Sequence, residues 1–132
     1  MFDVKEPKSG TDMNKSQISS LDHIWQYLIK VAAGWRCEIC GSTNNGLHAA
    51  HIIGRGALWT RWRERNGLAL CVECHVDAKI KAWLIAENWR KGSKYRYRWN
   101  WIVAQKRKIH YSSRPEYKNE KRRLIRKYRT AA

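Results

Sequence analysis

This chain of 132 residues has no long apolar run and no apolar N-terminal segment, and its acidic side chains are scarce. No run of 18 apolar residues occurs, so we expect no transmembrane helix and no role at a membrane. The N-terminal segment MFDVKEPKSGTDMNKS lacks the apolar stretch of a secretory signal, and we therefore expect a soluble, cytoplasmic protein. A hydrophobic content of 43% is enough for a packed core and excludes a largely disordered chain.

The shortage of acidic side chains gives a formal net charge of +16, with 27 Lys and Arg residues against 11 Asp and Glu. Residues 1–75 hold 9 basic and 7 acidic side chains, whereas residues 76–132 hold 18 basic and 4 acidic ones. A surface this basic indicates a polyanionic partner, and nucleic acid is the expected one. The alternative is a basic tail that is merely solvated, which the many aromatic residues of the second half disfavour.

Four cysteines form two pairs with the same spacing, Cys37-x-x-Cys40 and Cys71-x-x-Cys74. Disulfides are rare in a reducing compartment, so the pairs predict four thiolate ligands for one structural Zn²⁺ ion. Gly41 follows the first pair and allows the backbone to turn tightly there. A redox-active dithiol is the competing interpretation.

The first third of the chain is expected to contain one helix. Residues 1–17 are polar and predict a flexible tail. The spacing Ser19-x-x-Asp22 is typical of a capping box, and apolar residues at helical spacing follow it. Gly34 is a natural position for the helix to end.

Five further elements are predicted from apolar spacing and turn residues. They are a strand at 47–53, an exposed loop at 57–66, a strand at 67–70, a helix from about Val72 to Gly92, and a basic helix from Ser113-x-x-Glu116 to about Arg129. Between the last two, residues 95–101 alternate aromatic and polar and predict a strand, whose rings would stack on bases or pack on the basic helix. The expected fold is α+β, with a tail at 1–17, a zinc-stabilised domain at 18–92 and a basic, nucleic-acid-binding extension at 93–132.

The stretch between the cysteine pairs carries the most specific pattern. It contains LHAAHIIGR (47–55) and NGLALCVECH (66–75), with a histidine at the end of an aliphatic strand and another directly after the second cysteine pair. In residues 35–80 the chain resembles the HNH (His-Asn-His) endonucleases, especially small phage-type members that carry a four-cysteine zinc site. The resemblance implies a ββα-metal finger that nicks or cleaves DNA by hydrolysis with a catalytic Mg²⁺ or Mn²⁺ ion, and the expected substrate is double-stranded DNA.

Three residues match functional positions of this family. His51 matches the general base, Asn66 the residue that orients the base by tying down the loop, and His75 a ligand of the catalytic ion. The family usually has a metal-ligating Asp or His just before the base, where this chain has Ala50. His48 lies two residues earlier, on the same face of a strand, and either replaces that ligand or is a surface histidine.

Basic residues supply the expected contacts with the DNA backbone. Arg55, Arg61 and Arg63 are interpreted as phosphate contacts or as solvated loop charges, with Arg55 the candidate clamp on the scissile phosphate. The remaining expected contacts are Arg96, Arg98, Lys106, Arg107, Lys108, Arg122, Arg123 and Arg126. The rival hypotheses are a zinc module that binds nucleic acid without cutting it, and a nuclease subunit active only within a larger phage or recombination complex.

Overall fold

The computed structural model describes residues 12–43, 46–76, 80–93, 95–108 and 115–131. In chain order the elements are α1 (Lys15–Ala32), β1 (His48–His51), α2 (Leu58–Arg61), a 3-10 helix (Glu64–Asn66), β2 (Gly67–Leu70), α3 (Val72–Val76), α4 (Ile80–Trp89), α5 (Arg98–Lys108) and α6 (Tyr117–Ala131). This is a mixed α+β fold, as the sequence predicted. No described helix combines the length and apolar composition that crossing a membrane requires.

Helix α1 begins earlier than predicted. Its capping box is formed by Asn14, whose side chain accepts a hydrogen bond from the Gln17 amide, while the Gln17 side chain accepts one from the Asn14 amide. The predicted cap at Ser19 and Asp22 is wrong, because both residues lie inside the helix. Residues 15–17 are likewise helical rather than part of a flexible tail.

The end of α1 agrees with the sequence. Gly34 has a φ of +68°, and the Gly34 amide donates a hydrogen bond to the carbonyl oxygen of Val31. The Trp35 amide donates to the carbonyl oxygen of Lys30, so the last carbonyls of the helix are satisfied by the turn that leaves it. This turn leads directly to the first cysteine pair.

The sheet has two antiparallel strands, β1 and β2, in which His48 lies opposite Leu70 and His51 opposite Gly67. Strand β1 is shorter than the predicted 47–53, whereas β2 matches its prediction. Glu38 occupies the other side of β2: its amide donates to the Ala69 carbonyl oxygen and its carboxylate accepts from the Ala69 amide. The backbone of Ala69 is therefore satisfied without a third strand.

Helix α1 packs directly over the sheet. A Cβ atom placed on Gly67 would lie 2.5 Å from Cδ1 of Ile29 and 2.6 Å from Cζ2 of Trp25. Trp25 and Ile29 belong to a buried cluster with Leu21, Leu28, Trp62, Ala69 and Leu124. Only glycine at position 67 allows this close approach of helix and strand.

The segment 57–66 is not the exposed loop that its polar sequence predicted. It forms α2 and the 3-10 helix, and its buried members are Ala57, Thr60, Trp62 and Asn66. Because Trp62 is fully buried in the same cluster as α1, this segment is anchored to the core. The remaining aromatic and basic side chains of this segment are therefore attached to a backbone that the core holds in place.

The predicted strand at 95–101 is also wrong, since α5 begins at Arg98. Buried Tyr95 and Ile102 and half-buried Trp99 recur at positions i, i+4 and i+7, which is a helical spacing hidden within the aromatic alternation. Arg98 lies between them and donates a hydrogen bond of 2.6 Å to the Gly67 carbonyl oxygen. Tertiary packing therefore overrides the two-residue period.

The remaining helices depart from their predicted bounds. The long helix predicted from Val72 to Gly92 is represented by α3 and α4, with residues 77–79 outside the described part. The basic helix is present as α6, while the predicted start at Ser113 also lies outside it. Leu124 of α6 packs with α1, and Ile102 of α5 packs with Ile53 and Ala57. The described residues of α5 and α6 therefore contribute to the same buried clusters as the elements that precede them.

Candidate metal centre and candidate active site

Four cysteine side chains converge between the turn that holds Cys37 and Cys40 and the end of β2. The Sγ atoms of Cys37, Cys40, Cys71 and Cys74 all lie within 4.8 Å of one another, and those of Cys40 and Cys71 are 3.7 Å apart. Sulfur ligands at about 2.3 Å from a tetrahedral zinc ion are separated by about 3.8 Å. The cluster therefore has the donor type and the spacing to hold a metal ion such as zinc.

Local hydrogen bonds favour the thiolate form at one cysteine. Burial raises the pKa of Cys37, but hydrogen bonds from backbone amides, chiefly that of Cys40, outweigh it and bring this pKa to about 6. Burial and the neighbouring thiols raise the pKa of Cys74 instead. Such opposed shifts follow when four thiols crowd together, and a divalent cation relieves the crowding by stabilising all four thiolates.

His48 and His75 meet across the sheet and α3. Their Nδ1 atoms are 2.9 Å apart, and their rings are at 87° to one another. Cys74 faces the sulfur cluster while His75 faces His48, so adjacent residues of α3 serve two different clusters. Desolvation lowers the pKa of His75, and the nearby His48 lowers it further, which favours the neutral imidazole that can ligate a cation.

His51 is half-buried at the end of β1 and has a defined hydrogen bond. Its Nε2 lies 2.9 Å from the Arg61 carbonyl oxygen. A carbonyl oxygen can only accept, so Nε2 carries the hydrogen and Nδ1 keeps the lone pair of the neutral ring. Burial is the largest cause that lowers the pKa of His51, to about 4, even though the bond to Arg61 opposes this shift. At neutral pH this imidazole is therefore uncharged, with its one N–H hydrogen on Nε2.

Asn66 is fully buried and ties together the segment that follows β1. Its Oδ1 accepts a hydrogen bond from the Ile53 amide, and its Nδ2 donates to the carbonyl oxygens of Ile53 and Thr60. All three contacts are with backbone atoms, so Asn66 holds the chain from 53 to 60 in one conformation. Arg61, whose carbonyl oxygen accepts from His51, follows this segment directly.

A cavity of about 360 Å³ joins these residues. It is lined by Asp22, Gln26, Ala49, His51, Gly54, Arg55 and His75. His51 and His75 come from different elements and face the same cavity, and Arg55 is exposed at it. Within the described residues, this is where His51 and His75 come together with an arginine.

Ala50 lacks a ligating side chain, and neither Ala50 nor His48 is among the residues that line the cavity. Ala50 is buried with Leu68, Leu70 and Cys37, whereas His48 at the start of the same strand is exposed. The cysteine cluster is the only group of three or more potential ligands among the described residues, so His48 and His75 form a pair without a third His, Cys, Asp or Glu.

Three of the predicted phosphate contacts have internal roles instead. Arg61 forms an ion pair with Asp22, Arg98 donates to the Gly67 carbonyl oxygen, and Arg123 pairs with both Glu64 and Glu120. Each of these arginines is at least partly buried, and its guanidinium already has acceptors. The guanidinium groups of these three residues are engaged inside the fold, and their contact with phosphate stays a prediction.

The other predicted contacts remain accessible, apart from two. The exposed ones are Arg55, Arg96, Lys106, Arg107, Arg122 and Arg126. Arg63 is half-buried with its guanidinium 5.6 Å from the Trp59 ring centroid, and the side chain of Lys108 lies outside the described part. The exposed cations are spread over the segment after β1, the turn before α5 and helices α5 and α6.

Comparison with models of known families, with curated proteins and with solved structures yields no match to this chain.

Three residues at or beside the cavity were not identified from the sequence, and all lie on α1. The sequence pattern indicates a helix cap at Asp22 and a core position for Trp25, and it assigns no role to Gln26. Trp25 is buried, but its ring also stacks on His51. The available signal was the spacing of Asp22 and Gln26, which are one turn apart and therefore lie on the same face of the helix.

Proposed function

We propose that this protein is a metal-dependent DNA endonuclease of the HNH type, with His51 as the general base. The observation that carries the proposal is the cavity in which His51 and His75 meet, together with the hydrogen bond that leaves Nδ1 of His51 free to accept a proton. Hydrolysis of a phosphodiester needs a base for water and positive charge near the phosphate. His51 provides the first and Arg55 is placed to provide part of the second.

The neutral state of His51 supports its role as the base. With its pKa at about 4, His51 is neutral throughout the neutral range, and its Nδ1 is available to accept a proton. Its orientation is supported by the Arg61 carbonyl, which Asn66 helps to hold in place through Thr60. This arrangement agrees with the positioning role expected for Asn66.

His75 and His48 would hold the catalytic cation, since their Nδ1 atoms are close enough to bind one ion together. Such a cation, when bound, stabilises developing negative charge on the phosphate and lowers the pKa of a bound water. Imidazole ligands suit transition-metal ions better than Mg²⁺, which prefers oxygen ligands. We therefore expect Mn²⁺ or Ni²⁺ to support cleavage better than Mg²⁺.

Cleavage of supercoiled plasmid tests the proposal directly. The purified protein should convert it to nicked or linear DNA with Mn²⁺ and not with EDTA. His51→Ala should lower the rate by about 10²–10⁴-fold because the base is lost. The matched control is His23→Ala, which removes an exposed histidine whose hydrogen bond is to the Ser19 carbonyl of its own helix. Equal cleavage by His51→Ala and the parent would contradict the assignment of the base.

The two proposed cation ligands need their own variants. His75→Ala and His48→Ala should each raise the Mn²⁺ concentration needed for half-maximal cleavage, and excess Mn²⁺ should partly restore the rate. DNA binding measured in EDTA should not change, because neither residue belongs to the exposed basic surface. A His48→Ala enzyme with the parent's metal dependence would show that His48 is a surface histidine.

One observation favours a second candidate function, a zinc module that binds nucleic acid without cutting it. Position 50 has no ligand, and the described residues offer only two imidazoles for the cation. Under that hypothesis the protein binds DNA but the plasmid stays intact with every cation tested. Cleavage that appears only on addition of a partner protein would instead indicate a subunit of a larger complex.

A further inference from the structure

The carboxylate of Asp22 joins α1 to the segment that carries the His51 acceptor. Its Oδ1 accepts hydrogen bonds from Nε of Arg61 at 3.0 Å and from Nε1 of Trp62 at 2.8 Å. Its Oδ2 accepts a third, from Nη2 of Arg61 at 2.8 Å. The two side chains of this ion pair are only 14% and 19% exposed, so solvent screens the bidentate contact weakly.

Trp25, one turn further along α1, makes a second connection to the same segment. Its Nε1 donates a 2.9 Å hydrogen bond to the Arg63 carbonyl oxygen. Its ring stacks on His51, with centroids 4.1 Å apart and planes at 11°. Helix α1 thus contacts three consecutive residues, 61 to 63, and also one face of the His51 imidazole.

The consequence concerns which nitrogen of His51 holds the hydrogen. The Arg61 carbonyl oxygen accepts from Nε2, and Asp22 immobilises Arg61 through its guanidinium. If this carbonyl moves, the preference for hydrogen on Nε2 is lost and part of the protein carries it on Nδ1. An imidazole with hydrogen on Nδ1 cannot accept a proton there.

We propose that Asp22 and Trp25 of α1 are positioning residues that hold His51 in the tautomer and orientation of a general base. The inference rests on the proposed nuclease function and extends the site beyond the residues between the cysteine pairs. In this arrangement α1 belongs to the active site, although it precedes the matched motif in the chain. Neither residue takes part in proton transfer.

The decisive measurement is the tautomer of His51, read from its ring nitrogens by long-range ¹H–¹⁵N NMR of the purified protein without added Mg²⁺ or Mn²⁺. The parent should show hydrogen on Nε2, and Asp22→Asn should show a mixture of both tautomers. In plasmid cleavage Asp22→Asn should lower kcat by about 10- to 100-fold with little change in KM, because a displaced base costs rate rather than binding. Asp22→Glu, which keeps the carboxylate, should recover part of the rate.

Arg61→Met separates positioning from simple electrostatics. The charges of Asp22 and Arg61 act on the pKa of His51 in opposite directions, Asp22 raising and Arg61 lowering it. Charge effects alone would therefore give the two variants opposite shifts of the His51 titration. Positioning predicts the same tautomer mixture and the same loss of kcat in both, and a double variant no worse than either single one.

Glu87→Gln is the matched control. It removes a carboxylate on α4 that pairs with Arg90 and Ser93, both of which follow this helix. It should leave both the His51 tautomer and kcat unchanged. If Asp22→Asn does not fold, Arg61→Met carries the test with the same two readouts. An unchanged tautomer and an unchanged kcat in the folded variant would overturn the inference. Because the NMR readout needs no cleavage, an inactive parent would refute the proposed function and leave this inference testable.

Discussion

The imidazole of His51 lies flat against the indole of Trp25, with ring centroids 4.1 Å apart and an interplanar angle of 11°. The indole covers one face of the imidazole, and the Arg61 carbonyl takes the hydrogen at its edge. The covered face cannot be hydrated, which disfavours the charged ring and outweighs the bond to the Arg61 carbonyl, which favours it. Burial of this kind lowers the pKa of His51 to about 4.

This pKa predicts how stability depends on pH. The ordinary value is 6.5 and the folded value about 4, so the unfolded chain binds the proton more tightly. The contribution of His51 to stability is therefore complete above about pH 6.5 and is lost as the pH falls toward about 4. Urea unfolding without added Mg²⁺ or Mn²⁺ should show a smaller difference in stability between the parent and His51→Gln at about pH 5 than at about pH 7. A difference independent of pH would contradict the depressed pKa.

Gly67 provides a test of the packing between α1 and the sheet. Gly67→Ala should destabilise the fold by about 1–3 kcal/mol, because the new Cβ would overlap the side chains of Ile29 and Trp25. Gly56→Ala is the control, since a Cβ there meets no atom within 4 Å. Thermal unfolding of both variants measures the difference. Equal stability of the two would show that α1 does not approach β2 as closely as described.

The cysteine cluster predicts a tightly bound metal ion. Purified protein should contain about one Zn²⁺ per chain, and Cys37→Ser or Cys71→Ser should lose it and unfold at a lower temperature, because binding energy at such a site is folding energy. His75→Ala should keep the zinc although it adjoins Cys74, since His75 belongs to the other cluster. Elemental analysis without zinc, or a disulfide in reduced protein, would contradict the prediction.

We expect the exposed face of helix α6 to account for part of the salt dependence of DNA binding. Lys118, Arg122, Arg126 and Arg129 are exposed and lie at helical spacing along one face. Replacing the three arginines with Gln should weaken binding, and the slope of log K against log salt should become shallower by about 0.9 for each phosphate that is no longer neutralised. An unchanged slope would show that α6 does not touch the DNA backbone.

Arg123 on the same helix is the matched control for this experiment. It pairs with Glu64 and Glu120 and donates to the Trp62 carbonyl oxygen. Arg123→Gln should therefore lower the melting temperature, because buried Glu120 loses its ion-pair partner and half-buried Glu64 keeps only its contact with Lys127. The salt slope should stay as in the parent. Substitution is preferable to deletion of α6, since Leu124 belongs to the buried cluster of α1.

Local signals in the sequence sufficed for several parts of the fold. The spacing of the two cysteine pairs predicted a four-sulfur cluster, and the structure brings those sulfurs together. The apolar stripe of α1 and its end at Gly34 were predictable because they depend on neighbours within one or two turns. The same holds for β2, whose uninterrupted apolar residues indicate a fully buried strand.

Tertiary structure decided the features that depend on contacts between distant residues. Asp22 and Arg61 are 39 residues apart, and nothing near either of them indicates that α1 holds the His51 acceptor. The segment 95–101 became a turn and a helix because Tyr95, Trp99 and Ile102 fit the core at helical spacing and Glu38 already satisfies Ala69 of β2. Whether an arginine is free for DNA or paired inside the fold is likewise not a property of its neighbours in sequence. The sequence determines which chemical groups are available, whereas burial and the pairing of charges in the folded chain determine which of them can act.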